Sequence, residues 1–243
     1  MSQPAPFRHL VLIPSYNSGA LLQVVVEEAL RYWPHIMVVI DGSNDGSDAA
    51  LTDLQAEALT VLRLPKNYGK GYALQHGMNQ AGELGFSHVL TMDADAQHPA
   101  SQIPVFLQHS QRHPESVVFG YPQFGPDAPW PRVQARKLHN ALVGWETGGK
   151  SIRDSLFGFR IYPLPSTLPL LEKMQHAQGF DFESEIAVRL VWSNTPTINL
   201  PVPVRYLKPD QGGISHYRYG RDNLLLASMH LRLIQERWFT AKP

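Results

Sequence analysis

The apolar positions of this chain fall into short solid runs separated by stretches of helical spacing. HLVLI (9–13) reads as a buried strand, and IMVVI (36–40), TVLRL (60–64), SHVLTM (87–92) and SVVFG (116–120) read as further strands. Between them, Ser18 to Tyr32, Asp45 to Leu59, Gly71 to Gly85 and Pro99 to His113 read as helices. In the first of these, Leu21, Leu22, Val25, Ala29 and Tyr32 recur near helical spacing. Strands alternating with helices predict an α/β fold, with a mostly parallel central sheet flanked by helices on both faces.

The regularity fails after Gly120. YPQFGPDAPWP (121–131) reads as a loop, Arg132 to Thr147 as a helix and FGFRIY (157–162) as a strand. PLPSTLP (163–169) is broken by prolines. Asp181 is placed to cap a helix running to about Trp192, and TINLPVPVRYL (197–207) is extended. KPDQGGISHYRYG (208–220) is a polar loop. Asp222 to Trp238 is a long amphipathic helix in which Leu224, Leu225, Met229, Leu231 and Ile234 read as core. With no internal repeat and no flexible linker, residues 1–243 are expected to form one domain.

Composition narrows the chemistry. Lys plus Arg and Asp plus Glu are 21 each, so the charge balance carries no signature of a nucleic-acid partner. There is no Cys, which excludes disulfides, thiolate metal sites and a Cys nucleophile. The opening MSQPAPFRHLVLIPSYN lacks a signal-peptide layout, and no apolar stretch is long enough to span a bilayer. A cytoplasmic protein without a transmembrane helix is the default expectation. Peripheral contact with the inner face of a membrane stays open.

The most informative segment is Asp93-Ala94-Asp95-Ala96-Gln97-His98-Pro99, which follows an apolar strand and precedes a helix. In open α/β sheets, ligands bind beyond the carboxyl ends of strands. Residues two apart on an extended chain point the same way, so Asp93 and Asp95 can aim at one point. Carboxylates that close repel unless a cation sits between them. Mg²⁺ and Mn²⁺ prefer such oxygen ligands, usually with substrate phosphates completing the shell, and Gln97 offers a further carbonyl oxygen. The bland alternative, that Asp95 only caps the next helix, is weaker at the end of a strand.

With these residues in view, the chain resembles the inverting glycosyltransferase family 2, and within it the dolichyl- or polyprenyl-phosphate mannose synthase branch. IPSYN (13–17) looks like the first-strand motif, and VVIDGSNDGS (38–47) is similar to D-D-G-S-x-D-G-S/T. Asn67-Tyr68-Gly69-Lys70-Gly71 with Ala73 looks like N-x-G-x-G-x-A, and residues 93–99 look like D-A-D-x-Q-H-P. The resemblance covers about residues 9–220. It implies a GT-A nucleotide-diphospho-sugar transferase fold with a nucleotide-sugar-binding half (1–120), an acceptor-binding half (121–243) and C-terminal acceptor-side helices. It further implies that Pro14, Tyr16, Asn17, Asp41, Asn67, Lys70, Gly71 and Asp93 contact the donor, with Asp41 reading the base. Asp93, Asp95 and Gln97 are then the expected ligands of Mg²⁺ or Mn²⁺. A helix N-terminus behind glycines favours phosphate, which suits the Asn67–Gly71 segment.

In the second half, Asp154-Ser155-Leu156-Phe157-Gly158-Phe159-Arg160 looks like D-x-x-S-G-F-R with Phe157 in place of Ser. Arg160 is a candidate to hold the donor diphosphate or an acceptor phosphate. Arg132 and Arg136 share a helix face with Lys137 nearby; a solvated basic face and an anion site both fit that spacing. Asp181, Glu183 or Glu185 could act as general base toward a hydroxyl acceptor, and the resemblance favours Glu185. Gln211-Gly212-Gly213-Ile214-Ser215-His216 resembles R-x-G-x-S-K, with His216 expected over the diphosphate and an Arg and a Lys missing.

The expected reaction is transfer of a hexose from a GDP- or UDP-sugar, with inversion, to a lipid-linked acceptor such as polyprenyl phosphate. Asp95, Arg160, Glu185 and Asp181 are the candidate catalytic residues. Another lipid, a small hydroxyl acceptor, or a non-catalytic nucleotide-sugar-binding protein are the alternatives. A dehydrogenase would need G-x-G-x-x-G where IPSYN stands, and a nucleotidyltransferase a Gly-rich basic loop there.

Overall fold

The computed structural model describes residues 7–52, 54, 59–125, 130–149, 152–204 and 219–240. Seven strands, β1 (His9–Ser15), β2 (Ile36–Asp41), β3 (Leu59–Leu64), β4 (His88–Thr91), β5 (Val117–Gln123), β6 (Arg160–Pro163) and β7 (Thr197–Pro203), form one sheet. The order is β3-β2-β1-β4-β6-β5-β7. Only β6 runs antiparallel to its neighbours β4 and β5, so the sheet is mostly parallel, as the alternation of elements requires. The chain leaves β1 toward β2 and β3, then returns to place β4 on the other side of β1. That reversal opens a crevice beyond the carboxyl ends of β1 and β4, where this class of sheet binds ligands.

The helices are α1 (Leu21–Leu30), α2 (Lys70–Glu83), α3 (Ile103–Arg112), α4 (Trp130–Glu146), α5 (Leu164–Leu171), α6 (Phe182–Trp192) and α7 (Tyr219–Thr240). Period-two alternation sorts each solid apolar strand between two cores. Leu10 and Leu12 of β1, with Met37 and Val39 of β2, pack with α2, α5 and α6. Val11 and Ile13, with Val38 and Ile40, pack with α1 and α3 on the other face. All eight side chains are buried, which is why these strands are uniformly apolar rather than alternating.

Three expected elements need correction. The helix expected over Asp45 to Leu59 is only a short 3-10 turn (Ala49–Thr52) among the described residues, and β3 already begins at Leu59. Asp45 accepts backbone N–H bonds from Gly19 and Ser47, which favours a turn over a helix start. The expected loop at 121–131 opens as strand, because β5 runs on to Gln123 along β7. PLPSTLP forms most of α5: Pro165 lies in the first turn, where a missing N–H costs nothing, and Pro169 lies inside this short helix. Ser166 and Thr167 hydroxyls bond the Pro163 carbonyl. In α7, Met229 is buried as expected, whereas Leu224 and Leu231 are exposed.

Candidate active site

The loops after β1 and β2 are stitched to each other before any ligand is considered. Asn17, held at φ 45°, accepts the Asn44 N–H through its side-chain oxygen at 2.9 Å and donates its own N–H to Ser43 at 3.0 Å. Asp41, buried at the end of β2, accepts N–H bonds from Tyr68 and Gly69, both 2.8 Å. Burial raises its carboxyl above the ordinary range against the pull of those two bonds. Each of its oxygens therefore already has one partner, with lone-pair capacity left for a second. Asn67 is exposed beside it, Tyr16 partly buried and Pro14 buried within β1.

The glycines of the Asn67–Gly71 segment make room for a neighbouring loop. A Cβ on Gly69 would lie 2.3 Å from the Gln178 carbonyl, and one on Gly71 2.4 Å from that of Ala177. The Tyr72 N–H donates to the Gln178 carbonyl. The close approach at the start of α2 is thus to the 177–179 loop, and part of the helix N-terminus expected to face phosphate is occupied by protein. This contact draws the head of α6 up against α2.

Its consequence is the central feature of the site. The Lys70 ammonium lies 2.7 Å from Asp93 Oδ1 and 2.5 Å from Glu183 Oε1. Burial opposes its charge, but the two carboxylates outweigh burial and raise its pKa. Burial likewise works to raise Asp93, and Lys70, His98 and Arg160 outweigh it, holding that carboxyl below the usual range. Gly158 makes room for the pair: a Cβ there would stand 3.1 to 3.2 Å from both Asp93 oxygens and from Lys70 Nζ. His98 accepts the Asp93 N–H on Nδ1 at 3.1 Å, and burial pushes its pKa below the ordinary imidazole value. Phe157, which replaces the motif serine, packs edge-on against the His98 ring at 4.6 Å.

Asp95 stands differently. Its Oδ1 accepts the Gln97 N–H at 3.0 Å, across a turn that holds Ala96 at φ 59°. Burial, and then the Asp93 charge, raise its carboxyl. Asp93, Asp95 and Gln97 are only partly buried, so this edge opens to a ligand. Among the described residues, no group of three or more His, Cys, Asp or Glu is placed to hold a metal ion by itself. An under-compensated carboxylate with an amide nearby still fits a divalent ion whose shell is completed by phosphates, the usual manner of Mg²⁺.

Arg160 is fully buried, and its guanidinium donates to the Phe157 and Glu183 carbonyls at 2.6 and 2.5 Å. From there it holds the backbone that presents Glu183. Glu185 is also turned away from the cluster, between Arg189 at 2.9 Å and Arg232 at 3.2 Å. Residues two apart on a helix lie about 200° apart around its axis, so Glu183 and Glu185 cannot both face the site. Glu183, which the resemblance passed over in favour of Glu185, is the one that faces Lys70. Asp181 is buried, accepts the Gly179 N–H at 3.0 Å and makes no side-chain cap to α6. Arg136 forks onto Asp154 at 2.5 and 3.0 Å, so it anchors α4 rather than offering a free cation. His216 lies outside the described residues, as does the rest of the 211–216 segment, and so does the side chain of Arg132.

Comparison with known proteins bears directly on this geometry. The family model described as Glycosyl transferase family 2 matches residues 10–167, more than half of the chain. The chain belongs to glycosyl transferase family 2. Sugar transfer is therefore its reaction class. It is 26% identical over 209 residues to the polyprenol monophosphomannose synthase of Mycolicibacterium smegmatis, covering 80% of this chain and 76% of that one. It is 32% identical over 155 residues to the undecaprenyl-phosphate 4-deoxy-4-formamido-L-arabinose transferase of Pectobacterium atrosepticum, covering 59% of this chain but only 45% of that longer protein. The UDP-N-acetylglucosamine–dolichyl-phosphate N-acetylglucosaminyltransferase of Methanococcus voltae is 25% identical over 196 residues, with 73% and 78% covered. Among solved structures, S. aureus TarS 1-349 has a similar fold, with TM-score 0.56, 15% identity, and 93% of this chain and 71% of that chain covered. Family membership thus agrees with the GT-A α/β fold expected from the motifs.

Proposed function

We propose that this protein transfers a hexose from a GDP- or UDP-sugar to a polyprenyl phosphate, with inversion at the anomeric carbon and with a divalent metal assisting. The observation that carries this reading is the acid cluster at the crevice between β1 and β4: Asp93 neutralised by Lys70, and Asp95 left short of a counter-charge. The acceptor class is supported by the names of the relatives, which are polyprenyl- and dolichyl-phosphate sugar transferases.

In this reading Asp93, Asp95 and Gln97 would hold Mg²⁺ or Mn²⁺, which would supply charge neutralisation for the leaving nucleoside diphosphate. Asp41 and the stitched 14–17 and 41–45 loops seat the nucleoside. An acceptor phosphate oxygen forms the new bond to the anomeric carbon as the bond to the diphosphate breaks, and the electron pair leaves with the nucleoside diphosphate. A phosphate is already ionised near neutral pH, so no strong general base is required. That agrees with Glu185 being tied into arginines and Glu183 into Lys70. Arg160 acts as a positioning residue. His216 is proposed to close over the diphosphate, and peripheral contact with a cytoplasmic membrane face follows from a lipid acceptor.

The test is to incubate the full chain with labelled GDP- and UDP-sugars and undecaprenyl phosphate in detergent, with Mn²⁺ or with EDTA. Label should pass to the organic phase only with metal, and the product should have the anomeric configuration opposite to the donor's. Metal-independent transfer overturns the metal role, retained configuration overturns single displacement, and transfer only to hydroxyl acceptors moves the assignment to the alternative acceptor class.

A further inference from the structure

Outside the site, the most unusual surface lies on α4 and α7. On α4, Leu138 (76% exposed), Leu142 and Trp145 (57%) recur at i, i+4 and i+7, flanked by exposed Ala135 and Ala141. On α7, Leu224 (72%), Leu231 (62%) and Trp238 (72%) recur every seven residues, which keeps them on one side of the helix. Leucines and tryptophans this bare normally turn inward.

The two stripes belong to one surface. His139 meets His230 at 3.3 Å, and Arg237 donates to the Glu146 carbonyl, both pairs being separated by 91 residues. Equal separations mean that α4 and α7 run side by side in the same direction. Arg237 also bonds the Trp145 carbonyl at 3.0 Å, with its guanidinium 5.9 Å over the Trp145 ring, joining the stripes at their carboxyl ends.

Among the described residues, the exposed charge on these helices is mostly positive. The exposed ionisable residues among the described parts of α4 and α7 are Lys137, Arg221 and Arg237. Of the acids on the same helices, Glu146 bonds His230 and Asp222 is buried, while Glu236, paired with Arg189, keeps 40% of its side-chain surface. An apolar stripe bordered by arginine, lysine and tryptophan, with mostly cationic exposed charge among the described residues, matches the chemistry of an anionic bilayer interface. A second copy fits worse, since mating this surface with itself would bring Lys137, Arg221 and Arg237 of both copies together with little exposed carboxylate among the described residues to offset them.

We propose that the exposed faces of α4 and α7 dock the protein onto an anionic lipid bilayer. The leucines and tryptophans enter the interfacial layer, while Lys137, Arg221 and Arg237 meet the headgroups. This deepens the lipid-acceptor reading by giving the membrane a defined face. The inner side of α4 reaches the acid cluster through His139, which bonds Ser184, next to Glu183, at 2.8 Å. Docking by this face therefore holds lipid against the helix layer that borders the site.

The test uses the full chain with no donor, metal or acceptor, sedimented with vesicles of phosphatidylcholine alone or enriched in phosphatidylglycerol. Binding is expected on the anionic vesicles, with a blue shift of tryptophan emission. Leu138→Gln and Leu231→Gln alter exposed side chains, so each should unfold at the wild-type temperature. Each is expected to weaken vesicle binding by about tenfold, the loss of one leucine's transfer free energy. No binding to either vesicle overturns the proposal, as does binding that neither substitution weakens. A self-associated state dispersed by the same substitutions, with no vesicle binding, assigns the face to a second copy instead. Failure of sugar transfer in detergent with vesicle binding intact would count against the proposed reaction and not against this surface.

Discussion

Replacing Lys70 with Met isolates the cation at the centre of the acid cluster. Met keeps a similar length without charge, leaving Asp93 and Glu183 in place and uncompensated. Removing one partner of a buried ion pair costs about 3–5 kcal/mol, because the remaining charge is stranded. The lower end applies here, since the Asp93 side chain keeps 24% of its surface and so retains some water. A loss of about 3 kcal/mol in a chain of this length lowers Tm by roughly 6–12 °C. The assay is thermal unfolding of the full chain at neutral pH. Adding Glu183→Gln to the variant should restore part of the loss, since one of the stranded charges is gone. MnCl₂ alone should raise Tm more for Lys70→Met than for the wild type, because a cation can now enter between the carboxylates. A Tm within about 1 °C of wild type, less than the shift expected from 1 kcal/mol, would refute the view that the ammonium sustains this cluster.

Other substitutions probe the neighbouring features. Asp95→Asn should abolish transfer while leaving Tm unchanged or slightly raised, since it removes a charge that burial and Asp93 disfavour; a clear fall in Tm would contradict that account of Asp95. Gly69→Ala should lower stability by more than about 1 kcal/mol, because the φ of 105° and the Gln178 carbonyl at 2.3 Å both oppose a Cβ; wild-type unfolding would show that the 177–179 loop yields freely. Stability should also fall on acidification. His9 is lowered to about 4 by burial and then by His88, and His139 to about 3 by burial and then by His230. Both values lie below the unfolded value of about 6.5, so the stability held above that pH is lost as pH falls toward the folded values, by at most about 1.4 kcal/mol per pH unit per proton. A flat Tm from about pH 7 to about pH 4.5 would rule this out.

The first half of the fold was legible because β1, β2 and β4 are buried on both faces, and solid apolar runs such as IMVVI have little other use in a chain of this size. The DADAQHP segment was legible for a related reason: acids directly after a buried strand sit at the mouth of the sheet. The corrections fall where local pattern and long-range contact diverge. Nothing in FESE says which acid faces the site, because the rotation of α6 is set by the packing of Gly69 and Gly71 against the 177–179 loop, about a hundred residues away in sequence. The same holds for Arg160, a strongly charged residue whose complete burial follows from its place in an inner strand between β4 and β5.

Sequence alone therefore determined the class of sheet, the order of its early elements and the strand ends where ligand chemistry gathers, since these follow from hydrophobic period and turn residues within short windows. Only the tertiary structure decided that Lys70 compensates Asp93, that Glu183 rather than Glu185 joins them, and that α4 and α7 leave an apolar face exposed. Each of those outcomes depends on which side chains converge from distant segments, and convergence is a property of packing in three dimensions.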